Sequence, residues 1–271
     1  MQLSRIFAVA MLTLWGSAAL ADDDKHDLCA ERPGLTTNEC VIEPGHVQLE
    51  TGLVDWTLER DHGDRTDTIL YGDTIARIGV ADKWEVRIGW TPYGTVRDSE
   101  DGSTDSMHRV GDVTIGLKRN LIDAKDSGNV GLSLAVIPFA TLPVGRMPVG
   151  DGTWSAGAEL PVGYRIDKLL KFELTPEIEA SPDKDGHGRH LLASLAFGPK
   201  FSLSEAVSLQ TEIELIRDDD PDPQQRGLQA IGGLSLGVQP DDKTQLDLGS
   251  NIGLDRKAPD VEVYAGVTRY F

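Results

Sequence analysis

Carboxylate side chains recur at every second position along several segments of this chain of 271 residues. One segment carries Glu173, Glu177 and Glu179, and another carries Glu212 and Glu214. Residues two apart in a β-strand point to the same face, so each segment presents a row of negative charge. Such rows attract cations, line a hydrated path or pair with Arg and Lys across a sheet, and none of these roles needs covalent chemistry.

Residues suited to covalent catalysis are present, but their spacing matches no known catalytic motif. The sequence contains no G-x-S-x-G elbow, Walker loop, H-E-x-x-H or dinucleotide fingerprint. His190 and Ser194 share strand parity, as a lipase-like pair would, but they fall in a row predicted to face away from lipid. A protease at a barrel rim would draw on Asp183, Asp185, His187 or Asp218–Asp220, which we interpret as solvated loop charges. We therefore predict no enzymatic activity and no cofactor.

Two further polar clusters have residue types that bind metal ions. His187 and His190 flank Gly188-Arg189, and Asp218-Asp219-Asp220 precede Pro221-Asp222. A calcium site needs six or more oxygen ligands arranged in space, which a single acidic run does not provide. Both clusters are interpreted as polar loop residues, with loose cation association at the acidic run, and no defined metal site is predicted.

The elements that position these side chains are strands with one apolar and one polar face. In residues 84–90, apolar side chains take every even position, while odd positions carry a charge or glycine. About twelve such segments run to Phe271. Lipid on one side and water on the other require this contrast between faces. The predicted fold is all-β, a single antiparallel transmembrane β-barrel of about twelve strands.

The connections between the predicted strands alternate in length. The strands are predicted at 47–59, 67–80, 84–96, 110–121, 129–141, 154–166, 169–180, 190–202, 206–217, 227–239, 244–255 and 261–271. Odd-numbered connections are long and polar, as at 97–109 and 142–153, whereas even-numbered ones are tight, as at 81–83. Bacterial barrels combine short periplasmic turns with longer outer loops. The first strand also changes phase near Leu53-Val54, which predicts a bulge.

Strand parity assigns a set of charged residues to the barrel lumen. These are Glu85, Arg87, Asp112, Lys118, Glu159, Arg165, Lys171, Glu173, Glu177, Glu212, Glu214, Asp247 and Glu262. They either line a hydrated pathway that favours cations and neutral solutes, or fill the interior by pairing with one another. A twelve-stranded barrel is intermediate in size between packed and open barrels, so both alternatives remain.

The N-terminus has the pattern of an export signal. Arg5 precedes an apolar core at 6–14, and Ala19-Leu20-Ala21 has the small-x-small pattern of a cleavage site. Cys29 and Cys40 follow, and an oxidising periplasm favours a disulfide between them. The predicted divisions are a signal peptide at 1–21, a periplasmic or plug-like segment at 22–46 and the barrel at 47–271.

The overall charge of the chain excludes one class of partner. It has 44 acidic and 26 basic residues, for a formal net charge of −18. Nucleic-acid phosphates would be repelled by this excess, so no nucleic acid is expected to bind.

Two groups of residues resemble a known family. The first comprises 32–37 with 43–52, and the second comprises 138–145 with 150–154. Both are similar to segments of the outer-membrane proteins associated with the MetA pathway of phenol degradation. The resemblance implies a barrel of roughly twelve strands and uptake of small compounds, often apolar or aromatic.

Two segments of the barrel receive specific roles. The 142–153 loop, with Pro143, Gly145 and Gly150, is predicted to form a constriction or entry element. The last strand is predicted to be recognised by the barrel-assembly machinery, although position 269 is Arg rather than aromatic or apolar. The residues of this signal are Val263, Ala265, Val267 and Phe271.

These observations predict a channel or transporter that passes small solutes without covalent chemistry. It would lie in the outer membrane of a Gram-negative bacterium, in contact with lipid and lipopolysaccharide, after cleavage near Ala21. The alternative is a closed structural or adhesive barrel that acts through its acidic outer loops.

Overall fold

The structure is a computed structural model that describes residues 28–61, 63–100, 102–124 and 129–271. The predicted signal peptide and its cleavage site at Ala21 lie outside the described residues. Among the described residues, no helix is both long and apolar enough to cross a membrane.

The described chain forms sixteen strand segments in one antiparallel sheet. Four consecutive pairs of segments, β2–β3, β4–β5, β6–β7 and β9–β10, each make one barrel strand, which gives the twelve predicted strands. The segments are β1 (Val47–Asp61), β2 (Asp64–Tyr71), β3 (Asp73–Ala81), β4 (Trp84–Trp90), β5 (Tyr93–Glu100), β6 (Ser103–Arg109), β7 (Val113–Ile122), β8 (Gly131–Leu142), β9 (Ser155–Glu159), β10 (Val162–Arg165), β11 (Leu170–Pro182), β12 (Arg189–Ser202), β13 (Val207–Asp218), β14 (Gly227–Asp241), β15 (Thr244–Gly253) and β16 (Val261–Tyr270).

The barrel closes where its first and last strands meet. β1 pairs with β16 from Gln48 opposite Tyr270 to Leu58 opposite Val261. The register shifts between Gly52 and Val54, which confirms the predicted bulge. Closure leaves the barrel wall without the unpaired sheet edges that a bilayer would not tolerate.

The two faces of the wall have opposite chemistry. On β14, Leu234 has 54% of its surface exposed, while the neighbouring Ser235 has 3%. On β15, Leu248 is 55% exposed, while Asp247 is buried. Leucines outside and polar groups inside are the reverse of a soluble protein, and they match a wall that faces lipid.

One predicted connection is wrong. Residues 97–109 are predicted to form a long polar loop, but β5 continues to Glu100 and β6 begins at Ser103. The two segments pair as a hairpin, with Arg97 opposite Ser106. Both faces of this hairpin are polar because it extends beyond the apolar band, so the alternation that reveals a membrane strand is missing there. β6 is exposed along its whole length.

A second correction concerns the predicted strand at 154–166. It is divided into β9 and β10 at Leu160-Pro161, because proline has no N–H to give to the ladder. Neighbouring strands still use the backbone groups of the break. The Leu160 N–H donates to the carbonyl of Pro176, and the Pro161 carbonyl accepts from Ala135, both at 2.9 Å.

Candidate functional site in the barrel lumen

Residues 28–46 are here called the interior segment. Its residues 28–42 lie inside the barrel, and Arg77 of β3 is the centre of their attachment. The Arg77 side chain is fully buried. Its Nε lies 2.8 Å from Oε1 of Glu85, and its Nη1 lies 2.9 Å from Oε1 of Glu50. It also donates to the backbone carbonyls of Cys29 and Cys40. One guanidinium therefore joins two strands of the wall to both ends of the disulfide loop.

Glu31 of the interior segment is enclosed by three cations. Its carboxylate lies 2.5 Å from Nη2 of Arg87, 2.8 Å from Nζ of Lys118 and 3.6 Å from Nη1 of Arg77. Burial alone would raise the pKa of Glu31, but the charges of Arg77, Arg87 and Lys118 hold it well below its usual range. Glu31 is therefore ionised and acts as the counter-charge for this side of the lumen.

The opposite wall of the lumen binds the interior segment through carboxylates. Glu212 accepts the backbone N–H groups of Leu35 and Thr36, each at 2.8 Å. Nζ of Lys171 lies 2.8 Å from Glu39 and 2.7 Å from Glu173. The predicted lumen residues that contact the interior segment are Glu85, Arg87, Lys118, Lys171, Glu173, Glu212 and Asp247. At this height the interior segment occupies part of the lumen and is bonded to the wall on both sides.

Arg32 lies against the seam where the barrel closes. Its Nη2 is 3.1 Å from Oδ1 of Asp247. A side chain at Gly266 of β16 would place its Cβ 2.5 Å from Nε of Arg32, and one at Gly52 of β1 would place it 3.3 Å from Nη1. Glycine on both strands therefore makes room for the guanidinium at the seam.

The predicted disulfide between Cys29 and Cys40 is confirmed. Ile42 and Tyr270 pack with Cys29 in a small buried apolar cluster. The bond closes the part of the interior segment that contacts Arg77, so these contacts form on a pre-ordered loop.

A cavity of about 350 Å³ lies on the outer-loop side of the interior segment. One part of its wall is acidic and includes Glu159, Glu177 and Glu179. The other part includes Ile137 and Phe139. The remaining lining residues are Asp73, Ile75, Arg87, Gly89, Trp90, Thr91, Asp112, Thr114, Gly116 and Thr141. This combination suits a small molecule with an apolar body and a neutral or cationic polar group.

The remaining predicted lumen residues lie at other heights. Arg165 lines a second cavity of about 210 Å³, at the turn end of the barrel. Glu214 of β13 lies opposite Ala196 of β12. Glu262 accepts from Nδ2 of Asn251 at 2.7 Å. Glu177 and Glu159 face the outer cavity, where Glu159 is 3.7 Å from Nη1 of Arg87.

The 142–153 loop is attached to the rim of the outer cavity through Asp112. Its carboxylate accepts the N–H groups of Gly145 at 2.7 Å, Asp151 at 2.7 Å and Gly152 at 3.1 Å. A Cβ at Gly145 would lie 2.5 Å from the Val110 carbonyl oxygen, so only glycine fits. Burial and the Asp112 carboxylate raise the pKa of Asp151, so a rise in pH works against this closed arrangement.

The other predicted loop residues differ in their surroundings. Gly150 also approaches Asp112, with a Cβ position 3.0 Å from its side chain, whereas Pro143 is exposed. Val149 packs against Gly94 of β5, so the loop leans towards the outer hairpins. Its role as a constriction stays a prediction.

We predict that Asp112→Asn releases the loop. The amide keeps one acceptor oxygen but turns a donor towards backbone N–H groups, which is expected to cost about 1–3 kcal/mol of loop attachment. Trypsin should then cleave faster after the exposed Arg146. Asp105→Asn on the exposed β6 is the matched control. Equal cleavage rates for both variants and the wild type would contradict the assignment.

The predicted assembly signal lies on the outside of the last strand. Val263 is exposed, and Ala265 and Val267 share its face. The terminal Phe271 is exposed and exchanges backbone hydrogen bonds with Val47. Arg269 lies 3.3 Å from Asp241, so its charge has a partner outside the apolar row.

Several residues of the site were not predicted from the sequence. Arg77 and Glu50 lie at inward-facing positions of their strands. Assigning every charged strand residue by parity would therefore have placed both in the lumen. Glu31, Arg32 and Glu39 precede the first strand and have no periodic signal. Their roles follow only from the path of the interior segment.

Comparison with known proteins places this lumen in a family. The family described as "Putative MetA-pathway of phenol degradation" matches residues 30–270. The chain belongs to this family. The match includes the interior segment as well as the barrel, and it confirms the resemblance found in the sequence. No curated protein matches this member of the MetA-pathway family.

The fold resembles that of a solved outer membrane channel. An outer membrane channel from Pseudomonas putida F1 superposes with a TM-score of 0.69 at 12% identity, over 86% of this chain and 97% of that one. The NanC porin has a TM-score of 0.49 at 8% identity, over 83% and 99% of the two chains. The translocator domain of the autotransporter NalP from Neisseria meningitidis has a TM-score of 0.49 at 13% identity, over 85% and 90%. This MetA-pathway family member has the fold of an outer-membrane β-barrel.

Proposed function

We propose that this protein is an outer-membrane channel that passes small solutes through its lumen without covalent chemistry. The observation that supports this most is the outer cavity, which is partly acidic and partly apolar and lies directly above the ion-paired interior segment. Solutes enter from the loop end, occupy this cavity and pass the interior segment on the way to the periplasm. The ion pairs of the interior segment therefore set the size limit.

The proposed solutes are small molecules with an aromatic or apolar body and no negative charge. Phe139, Ile137 and Ile75 supply apolar contacts, while the nearby carboxylates repel anions. The family description, which refers to phenol degradation, supports the same class of compound.

We predict that the double variant Glu159→Gln and Glu177→Gln loses cation preference. Both carboxylates face the outer cavity, so removing their charge lowers the local cation concentration. The cation-to-anion permeability ratio in planar bilayers should fall by a factor of about two to ten. Glu100→Gln, at the exposed tip of an outer hairpin, is the control and should leave the ratio unchanged. An unaltered ratio in the double variant would place the selectivity elsewhere.

The part of the lumen occupied by the interior segment favours a second candidate, a closed structural or adhesive barrel that acts through its acidic outer loops. The two functions differ in permeability. Liposomes containing folded protein should swell in phenol-sized neutral solutes if the channel function holds. If neither the wild type nor a variant with a loosened interior segment admits any solute, the closed barrel is the better assignment.

We further propose the route by which the protein reaches the membrane. Export is followed by cleavage near Ala21, and the outward row that ends at Phe271 is recognised by the barrel-assembly machinery. Lipopolysaccharide surrounds the outer loops. N-terminal sequencing of the mature protein tests the cleavage site, and Phe271→Ala should reduce the amount of assembled barrel while leaving the secreted precursor unchanged.

A further inference from the structure

We propose that Asp183, His190 and Asp220 bind a divalent transition-metal ion at the outer mouth of the barrel, and that Asp218 orients the imidazole. The residues come from three places in the chain. Asp183 follows β11, His190 is the second residue of β12, and Asp220 follows β13. Strand pairing brings them together, because Ser181 lies opposite His190 and Leu192 lies opposite Asp218.

The distances between donor atoms suit one metal ion. Nδ1 of His190 lies 3.0 Å from Oδ1 of Asp183 and 3.6 Å from Oδ2 of Asp220. One donor atom from each of the three residues lies within 4.8 Å of the others. Metal–ligand bonds of about 2.0–2.2 Å in a tetrahedron separate the donors by roughly 3.3–3.6 Å. Small side-chain movements therefore bring all three onto one ion.

Burial makes this cluster different from the solvated charges of the outer loops. The His190 side chain is 6% exposed and the Asp220 side chain is 5% exposed. His187, three residues earlier in the same connection, has a side chain that is 88% exposed. Carboxylates gathered around a buried imidazole need a counter-charge, which a metal ion would supply.

The second ring nitrogen of His190 lies beside a further carboxylate. Nε2 is buried, makes no hydrogen bond and lies 3.1 Å from Oδ1 of Asp218. With a metal ion on Nδ1, Nε2 carries the proton and a small ring rotation directs it at Asp218. This is the carboxylate–histidine–metal arrangement that fixes ligand orientation in metalloproteins.

The backbone holds the carboxylates in place. Oδ1 of Asp220 accepts the N–H of Asp222 at 2.6 Å, and Oδ2 accepts the N–H of Lys184 at 3.0 Å. A Cβ at Gly188 would lie 2.0 Å from Oδ2 of Asp183, so glycine makes room for that carboxylate. The site is therefore ordered before any ion arrives, which reduces the entropic cost of binding.

The donor set favours Zn²⁺ or Co²⁺ over Ca²⁺. Calcium takes six or more oxygen ligands, whereas one imidazole with two carboxylates suits zinc and leaves a position for water. The bound ion would link the β11–β12 connection to the β13–β14 connection at the mouth.

The test uses the full mature protein in detergent, without a histidine tag and after treatment with a chelator. Titration with Co²⁺, followed by visible absorption, and with Zn²⁺, followed by calorimetry, should each reveal one site per chain. His190→Gln and Asp220→Asn should abolish that site, and Asp218→Asn should weaken it by about 10–100-fold. His187→Gln, which removes a neighbouring exposed imidazole, should bind as the wild type does.

The pattern across the variants decides the outcome. Heat-modifiable migration on gels confirms that each variant is a folded barrel. If the folded wild type binds no ion at one equivalent, the cluster is a hydrogen-bonded histidine and carboxylate group without a metal, and the proposal fails. It fails equally if His190→Gln and Asp220→Asn keep the site, or if His187→Gln loses it.

Discussion

Replacement of Arg77 by Met is expected to lower the free energy of unfolding by about 3–5 kcal/mol, the cost of removing one member of a buried ion-pair network. Methionine fills much of the volume, but Glu50 and Glu85 remain buried without their cation. The carbonyls of Cys29 and Cys40 also lose the guanidinium as a donor, although the Cys29 carbonyl still accepts from Nε2 of Gln48 at 2.9 Å. The effect therefore comes from charge left behind rather than from a cavity.

Urea titration of the refolded barrel, followed by tryptophan fluorescence, measures this loss. Arg60→Met is the matched control, because Arg60 is exposed near the outer end of β1. Its unfolding midpoint should stay at the wild-type value. A triple variant that combines Arg77→Met with Glu50→Gln and Glu85→Gln is expected to recover part of the stability, since the two carboxylates no longer carry uncompensated charge. Equal midpoints for Arg77→Met and Arg60→Met would show that the buried network contributes little.

Glu31→Gln is expected to open the lumen. The amide leaves Arg87 and Lys118 facing one another without their shared counter-charge, which loosens the interior segment on that side. Like charges left buried together cost several kcal/mol, so the segment should spend more time away from the wall. Single-channel recordings should then show a higher mean conductance and more frequent transitions than the wild type.

The matched control for this variant is Glu100→Gln, which makes the same chemical change at an exposed outer hairpin. Its recordings should match the wild type. If Glu31→Gln also conducts as the wild type does, the interior segment does not limit permeation. The size limit would then lie at the outer loop held by Asp112.

Much of the barrel could be predicted because each membrane strand repeats a two-residue period. That period indicated the number of strands, which side chains face lipid and the bulge after Gly52. It is reliable because a polar side chain placed against lipid costs free energy. Beyond the lipid-contacting part of a strand, alternation of apolar and polar residues is no longer required. The β5–β6 hairpin has polar residues on both faces, so its sequence pattern is that of a loop.

The interior could be predicted only in part. Parity indicated which side chains point inward, but whether they surround water or pair with protein depends on the path of residues 28–46. That path has no secondary structure and no periodicity, and is set by long-range contacts such as Arg32 with Asp247. The same limit applies to His190 of β12 and Asp220 of the β13–β14 connection, which meet only through strand pairing.

The position of Arg32 at the seam has a consequence for the order in which the molecule is built. The guanidinium lies against Gly52 and Gly266, on the two strands that must join last to close the cylinder. We expect residues 28–46 to bind the open sheet before these two strands join, because Arg32 contacts both of them. The N-terminal residues are therefore expected to serve as the core around which the sheet wraps. The barrel then closes around the N-terminal residues, and pairing of β1 with β16 should be slow in any chain that lacks residues 28–46.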